Sequence, residues 1–306
     1  MRKIILVLIL FIFFNLFAQL EIPEITKSTA VITRDNYTLQ YNEQHEQADW
    51  VAYELLKSEI INDIDRTDNF REDPLVKTGS ASLSDYKGSG YDRGHLAPAA
   101  DMKLNKDSMS DSFYMSNMSP QLPSLNRGRW KNLEELVRSW VYVYGAAYIV
   151  TGPILNRNDF PSIGPNKVSI PDYYYKAILL FKNNQWQVIG FVLPNIEGKN
   201  KYALQTYIYS IDELEQLLGF DLYPSLEDSI ENMIEANVNL DLWSFNITSF
   251  PKTYIDQEQT SNISETYWIN SNSMTRHNSS CKYYNNTKSG YFTDKEEGKP
   301  CSTCGG

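Results

Sequence analysis

Apolar positions along the chain change period several times, and each period predicts an element. Val51, Leu55, Ile60 and Ile64 include two pairs spaced by four, consistent with a helix from Val51 to Ile64. Gly79 to Gly90 is rich in Ser and Gly and reads as a loop. Trp130, Leu133, Val137 and Trp140 step by three, four and three, which puts them on one face of a second helix. Val141 to Val150 is β-branched and aromatic and stops at Thr151-Gly152-Pro153, the pattern of a buried strand running into a turn. Tyr174 to Phe181 and Trp186 to Leu193 predict two more strands joined at Asn183-Asn184, with Pro194-Asn195 closing the second. Ser210 to Gly219 predicts a helix with a capping box, Ser210 preceding Glu213 by three, and Gly219 as its stop. Helices and strands mix without a regular βαβ rhythm, so the expected class is α+β.

The pattern also divides the chain. Residues 28–250 read as one mixed domain. Residues 251–264 are mostly polar (DQEQTSNIS at the end) and read as a linker, and residues 265–306 form a short separate segment holding all three cysteines. At the other end Arg2 and Lys3 precede an almost wholly apolar run, Ile4 to Phe17, and Ala18-Gln19 supplies a cleavage point, which is the layout of a secretory signal peptide over residues 1–18. The run is about 14 residues, short of the ~20 needed to span a bilayer. The mature protein is therefore expected to be secreted or periplasmic, without stable membrane association after the leader is removed.

Composition narrows the function classes. Of 306 residues 42% are hydrophobic, enough for a sizeable core, which excludes a disordered or low-complexity chain. The net charge of −10 argues against a tight nucleic-acid binder and constrains an enzyme that releases a polyanion less. From Asp85 to Arg138, however, eight bases meet seven acids, a local net of +1.

Candidate chemistry concentrates there. His95, one of three histidines, lies in Tyr91-Asp92-Arg93-Gly94-His95-Leu96-Ala97-Pro98. A neutral imidazole accepts a proton near neutral pH. In an extended segment Arg93 and His95 face the same side, and a guanidinium fork matches phosphate oxygens. A base beside a phosphate clamp points to phosphodiester hydrolysis; a loop histidine with a surface arginine is the bland alternative. Downstream lie Ser116-Asn117-Met118-Ser119-Pro120-Gln121 and Leu125-Asn126-Arg127-Gly128-Arg129-Trp130-Lys131-Asn132-Leu133-Glu134. On one continuous helix Asn126 and Glu134, eight apart, fall within about a quarter-turn of each other. An amide oxygen and a carboxylate facing one pocket suit Mg²⁺, which prefers oxygen and keeps most of its waters. An N-cap role for Asn126 and a solvated helix position for Glu134 are the structural alternatives. Arg127, Arg129 and Lys131 either line a substrate approach or form a solvated basic face. His45 reads as a packing or surface residue.

DRGH, then SNMSPQ, then LNRGRWKNLE, with HEQADWVAYEL, YIVTGPI, VIGFVLPN and SIDELEQLLGFDLY around them, resemble the DNA/RNA non-specific endonucleases of the ββα-metal type, the group that includes endonuclease G. The resemblance covers about residues 30–250. It implies a central, mostly antiparallel sheet flanked by helices. It also implies a Mg²⁺- or Mn²⁺-dependent endonuclease cutting DNA and RNA with little sequence preference and leaving 5′-phosphates. By position, His95 matches the general base, Asn126 the direct metal ligand and Glu134 the carboxylate that orders water around the metal. Arg93 matches the arginine of DRGH, and Asn117 the supporting Asn. An upstream arginine that helps at the phosphate matches Arg66, with Arg71 as the alternative. A phosphodiesterase of small nucleotides on the same fold, or a binding protein that has lost its chemistry, are the competing readings.

The C-terminal segment carries its own pattern. His277 and Cys281 give His-x₃-Cys, and Cys301 and Cys304 give Cys-x₂-Cys. One imidazole and three thiolates make a closed tetrahedral zinc site. One disulfide with a spare thiol is the alternative.

Overall fold

The computed structural model describes residues 19–27, 30–198, 202–248, 250, 267–270, 272–278, 281–284, 290–293 and 298–304. The expected leader, residues 1–18, and the expected linker, residues 251–264, lie outside them. The chain divides into two compact units, Met1–Tyr254 and Ile255–Gly306. Among the described residues no helix is long and apolar enough to cross a membrane.

In order, the first unit contains β1 (Val31–Thr33), β2 (Thr38–Asn42), β3 (Gln47–Leu56), α1 (Lys57–Ile60), α2 (Leu83–Tyr86), β4 (Asp92–His95), α3 (Lys106–Asp111), β5 (Met118–Gln121) and α4 (Lys131–Tyr144). There follow β6 (Ala146–Pro153), β7 (Ser162–Ile163), β8 (Val168–Ser169), β9 (Tyr173–Lys182), β10 (Gln185–Pro194), β11 (Ile208–Tyr209), α5 (Ile211–Leu218) and α6 (Asp228–Ile234). Seven strands form one sheet in the order β1-β2-β3-β6-β9-β10-β11, every neighbouring pair antiparallel. The class is α+β, as expected.

The sheet is buried on both faces, and this explains where the periodicity misled. Instead of a helix over Val51–Ile64, the chain runs as β3 through Leu56 and then makes one helical turn, α1. Val51, Tyr53 and Leu55 pack on one face of the sheet, while Trp50 and Ala52 pack on the other. A strand buried on both faces is apolar at consecutive positions. The pair Val51 and Leu55 satisfies period two as well as period 3.6, so it could not separate strand from helix. The expected strand over Val141–Val150 also shifts. α4 continues to Tyr144, because Val141 extends the buried face of Leu133, Leu136, Val137 and Trp140 by one more turn. Gly145, at φ 100°, then breaks the helix and β6 begins. The Gly79–Gly90 stretch holds one helical turn, α2, whose first backbone N–H groups are gathered by Ser82 and Asp85.

Other elements form where their patterns put them. β9 and β10 pair antiparallel from Tyr173↔Pro194 to Lys182↔Gln185. Asn183 and Asn184 make the turn with both φ positive, 51° and 61°, which matches strand twist. α5 has the capping box, Ser210 Oγ accepting from Glu213 N–H and Glu213 accepting from Ser210 N–H at 2.9 Å. Its Ile211 and Leu214 cover the sheet face opposite α4.

The second unit is a four-stranded sheet, β12 (Tyr267–Asn270), β13 (Thr275–His277), β14 (Gly290–Thr293) and β15 (Lys299–Pro300), in the order β14-β12-β13-β15.

Candidate active site

DRGH is the strand β4. It pairs antiparallel with β5 in the register His95↔Met118, Gly94↔Ser119, Arg93↔Pro120 and Asp92↔Gln121. The strand pair needs glycine at 94: a Cβ there would lie 2.4 Å from the buried side chain of Gln121. Asn117 is fully buried. Its Nδ2 donates to Ala97 O at 2.9 Å and Ser112 O at 2.8 Å, and its Oδ1 accepts from Ala97 N–H at 2.9 Å. Asn117 thus clamps the chain just past His95 and has no further polar atom to offer a ligand.

His95 is set among rings and cations. Its centroid lies 5.6 Å from Phe70 and 5.0 Å from Phe113, which themselves meet edge to face at 4.9 Å. Arg93 stacks its guanidinium 3.9 Å from the Phe70 centroid, so Arg93 and His95 do face the same neighbour. Arg66 lies over Phe113 at 4.8 Å. Burial, then the charges of Arg66 and Arg93, push the imidazole down to about 3. Nε2 of His95 is buried and has no hydrogen-bond partner among the described residues. Of the two upstream arginines it is therefore Arg66 that neighbours the histidine. Arg71 is committed elsewhere, donating to Ser110 O at 2.8 Å, pairing with Asp111 and stacking on Tyr114 at 3.7 Å.

Asn126 and Glu134 do not share one continuous helix. Leu125–Trp130 is a wide helical turn, and Gly128 inside it has non-helical backbone angles, φ −114° and ψ −108°. The quarter-turn estimate fails for that reason, and Asn126 is no N-cap of α4 either, since Trp130 holds that position. Asn126 instead reaches back to the DRGH strand, its Nδ2 donating to Asp92 Oδ2 at 2.9 Å. A carboxylate only accepts, so this bond fixes the amide with its NH₂ toward Asp92 and its carbonyl oxygen the other way. Arg127 forks onto the same carboxylate at 2.8 and 2.6 Å, with its side chain otherwise exposed. These donors hold Asp92 below the usual carboxylate range against the opposing effect of its burial. Arg129 is half-buried. Lys131 pairs with Glu135 at 3.6 Å.

Glu134, on the first turn of α4, belongs to a buried charge cluster. Arg138 donates to Asp101 at 2.7 Å, Tyr53 OH donates to Asp101 at 2.9 Å, and Lys176 projects from β9 to 5.0 Å from the Trp130 ring. Burial raises the Glu134 carboxyl, and Arg138 and Lys176 draw it back toward the charged form. Burial lowers Lys176, and Glu134 and Asp101 oppose that. Arg66, Ala99, Lys103 and Arg138 line one cleft of about 370 Å³, so the arginine beside His95 and the arginine beside Glu134 open onto the same space.

Several of these residues escaped the sequence reading. Phe70 and Phe113, which wall the imidazole, carry no local signal. Lys176 did carry one, a lone charge inside the apolar run Tyr173-Tyr174-Tyr175-Lys176-Ala177-Ile178-Leu179. Arg138 stands four residues after Glu134, the spacing of a helical ion pair. His45 is a packing residue, buried, with Nδ1 at 2.9 Å from Ser169 Oγ.

Comparison with known proteins adds an independent line. The family described as DNA/RNA non-specific endonuclease matches residues 20–229. The chain is 34% identical to human mitochondrial endonuclease G over 206 residues, 63% of this chain and 69% of that protein. It is 33% identical to a nuclease of Nostoc sp. over 227 residues, 71% of this chain and 81% of that one. In three dimensions it resembles a chain of the solved EndoG/EndoGI complex with a TM-score of 0.63, at 24% identity, covering 70% of this chain and 94% of that one. That last likeness speaks to the fold.

Proposed function

The chain belongs to the DNA/RNA non-specific endonuclease family, and from that premise we propose that it hydrolyses phosphodiester bonds of both DNA and RNA with His95 as general base. The observation that carries the reading is His95 Nε2, shut away from bulk water, without a hydrogen-bond partner among the described residues and beside two guanidinium groups. A neutral ring nitrogen so arranged takes a proton from a water lined up on phosphorus. Arg93 and Arg66 hold the anionic phosphate and its developing charge. Because these contacts are to phosphate, they read no base and give little sequence preference.

Asn126 is the residue that would hold a divalent cation, Mg²⁺ or Mn²⁺, and Glu134 the carboxylate that would order the water around it. The pinned amide leaves its carbonyl oxygen pointing away from Asp92, and a neutral oxygen donor with ordered waters fits a hard ion. Such an ion, when bound, stabilises the negative charge that builds on the phosphate and the leaving oxygen. Arg127 and Arg129 flank Asn126 and suit the approach of a polyanion. The positive n-region and the apolar run from Ile4 to Phe17 support export to a secreted or periplasmic location.

Purified full-length protein, given plasmid DNA, RNA and a small aryl phosphodiester with and without EDTA, tests the reading. Both polymers are expected to be cut, EDTA to stop the reaction, and His95→Ala to lower kcat/KM by about 10²-fold or more. Near wild-type cleavage by His95→Ala would falsify the base assignment. Cleavage of the small diester alone would move the substrate class to small nucleotides.

A further inference from the structure

Nothing in the hydrolysis above uses the second unit, yet all three cysteines and one of the three histidines of the chain lie there. Its strands bring them together. β13, which ends at His277, pairs in parallel with β15, and Cys301 follows β15 directly, its N–H donating to Arg276 O at 2.9 Å. Cys281 sits in the turn after β13, its N–H donating to Asn278 O at 3.0 Å. Asn278 Nδ2 donates to Cys304 O at 2.8 Å, tying the two cysteine-bearing turns to each other. The outcome is that His277 Nδ1 and the three Sγ atoms all lie within 4.8 Å of one another.

The separations discriminate between the two chemistries left open by the spacing. Zn–S bonds of about 2.3 Å and Zn–N bonds of about 2.0–2.1 Å make tetrahedral edges of about 3.8 Å between sulfurs and about 3.6 Å between sulfur and nitrogen. Cys281 Sγ is 3.9 Å from Cys301 Sγ and 3.3 Å from His277 Nδ1. The 3.9 Å between Cys281 and Cys301 is far from the ~2.05 Å that a disulfide needs. Thr303 N–H points at Cys301 Sγ from 3.4 Å, so the Cys-x₂-Cys turn aims a backbone donor at a sulfur that would carry negative charge. His277, Cys281 and Cys301 are each at most 7% exposed, and four protein ligands leave no open position. That is the arrangement of a structural site. Three soft thiolates also separate this site from the oxygen donor proposed at Asn126.

We infer that His277 Nδ1 and the Sγ atoms of Cys281, Cys301 and Cys304 bind one zinc ion in a closed tetrahedral site, and that this ion holds the second unit together. Among the described residues the unit buries only Tyr267, Trp268 and Ile269 as large apolar side chains. A unit as short as Ile255–Gly306 has little room for a core of its own, and metal binding supplies folding free energy directly. Binding displaces the thiol protons to solvent, so zinc affinity rises with pH.

The full-length protein, purified without chelator and kept reduced, is expected to contain about one zinc per chain by elemental mass spectrometry. Cys281→Ser and Cys301→Ser are expected to fall below about a tenth of that, while His95→Ala keeps its zinc. A serine variant can lose the fold of the unit, so a second measurement uses the unaltered protein. Titration with an organomercurial is expected to release the zinc to a chromophoric chelator as the three thiols react, and cobalt(II) exchanged into the site to show tetrahedral d–d bands with thiolate charge transfer. A zinc-free protein, a mapped Cys–Cys crosslink in its place, or zinc that survives Cys301→Ser each overturns the assignment.

Discussion

His95 is lowered by burial first and by Arg66 and Arg93 second, and all three causes act in the same direction. A base must be neutral to accept a proton, and the neutral fraction grows as pH rises above the pKa. The acidic limb of kcat/KM, which reports the free enzyme, is therefore expected below the ordinary histidine value of about 6.5. Arrival of an anionic phosphate opposes the two guanidinium charges and raises the imidazole, so the limb in kcat should lie above that in kcat/KM. Arg66→Gln removes one of the two charges and should move the kcat/KM limb upward while lowering its plateau. A limb at or above 6.5 in the unaltered enzyme contradicts the neutral, desolvated base. Asp92 acts one step away, through Asn126: with the 2.9 Å bond to Nδ2 gone, the amide turns freely. Asp92→Ala is expected to lose about 10- to 100-fold in rate, a typical effect of removing a partner that orients a ligand. The Mg²⁺ concentration for half-maximal activity should rise with it. A rate loss without that change in a metal titration would leave Asp92 a merely structural role.

At the scale of elements, the candidate site is a strand pair and a helix: β4 carries Arg93 and His95, Asn117 ends the turn just before β5, and α4 carries Glu134. The closeness of the two strands depends on Gly94. Gly94→Ala sets a Cβ 2.4 Å from Gln121 atoms that are themselves buried, and overpacking of this kind costs about 1–3 kcal/mol. Denaturant unfolding should show that loss together with reduced activity, because the strand pair must part where His95 is held. Retained stability would mean that Gln121 swings aside without consequence. The helix was legible because Trp130, Leu133, Val137 and Trp140 repeat at its period, and the β9–β10 hairpin because Asn183-Asn184 stands between two apolar runs. The strand β3 was not legible, since burial on both faces erases the alternation that identifies a strand. Motif letters singled out His95, Arg93 and Asn126 as candidates, but the placing of Asn126 depends on a non-helical Gly128 and on Asp92, and neither follows from spacing. The rings beside His95, Phe70 and Phe113, come from distant positions, and only the fold brings them together.

Over the whole molecule, charge and chemistry are unevenly distributed. The chain carries −10 overall, yet Arg66, Arg93, Arg127, Arg129 and Arg138 all fall between residues 66 and 138. With a local net of only +1 from Asp85 to Arg138, a polyanion meets little overall attraction, which favours release of cut product over retention. Every residue assigned to hydrolysis also lies inside Met1–Tyr254, a unit with its own sheet and its own apolar clusters on both faces. The residues of the inferred zinc site lie wholly inside Ile255–Gly306. If the two chemistries are independent, a chain ended after Tyr254 should fold and cleave plasmid with kcat/KM within about threefold of the full-length value, since mutations that share no partner act additively. The same truncated chain should contain no stoichiometric zinc. A drop of about tenfold or more in kcat/KM, with the thermal transition intact, would show instead that the second unit contributes to substrate binding, and the salt dependence of KM would then locate that contribution in its basic residues.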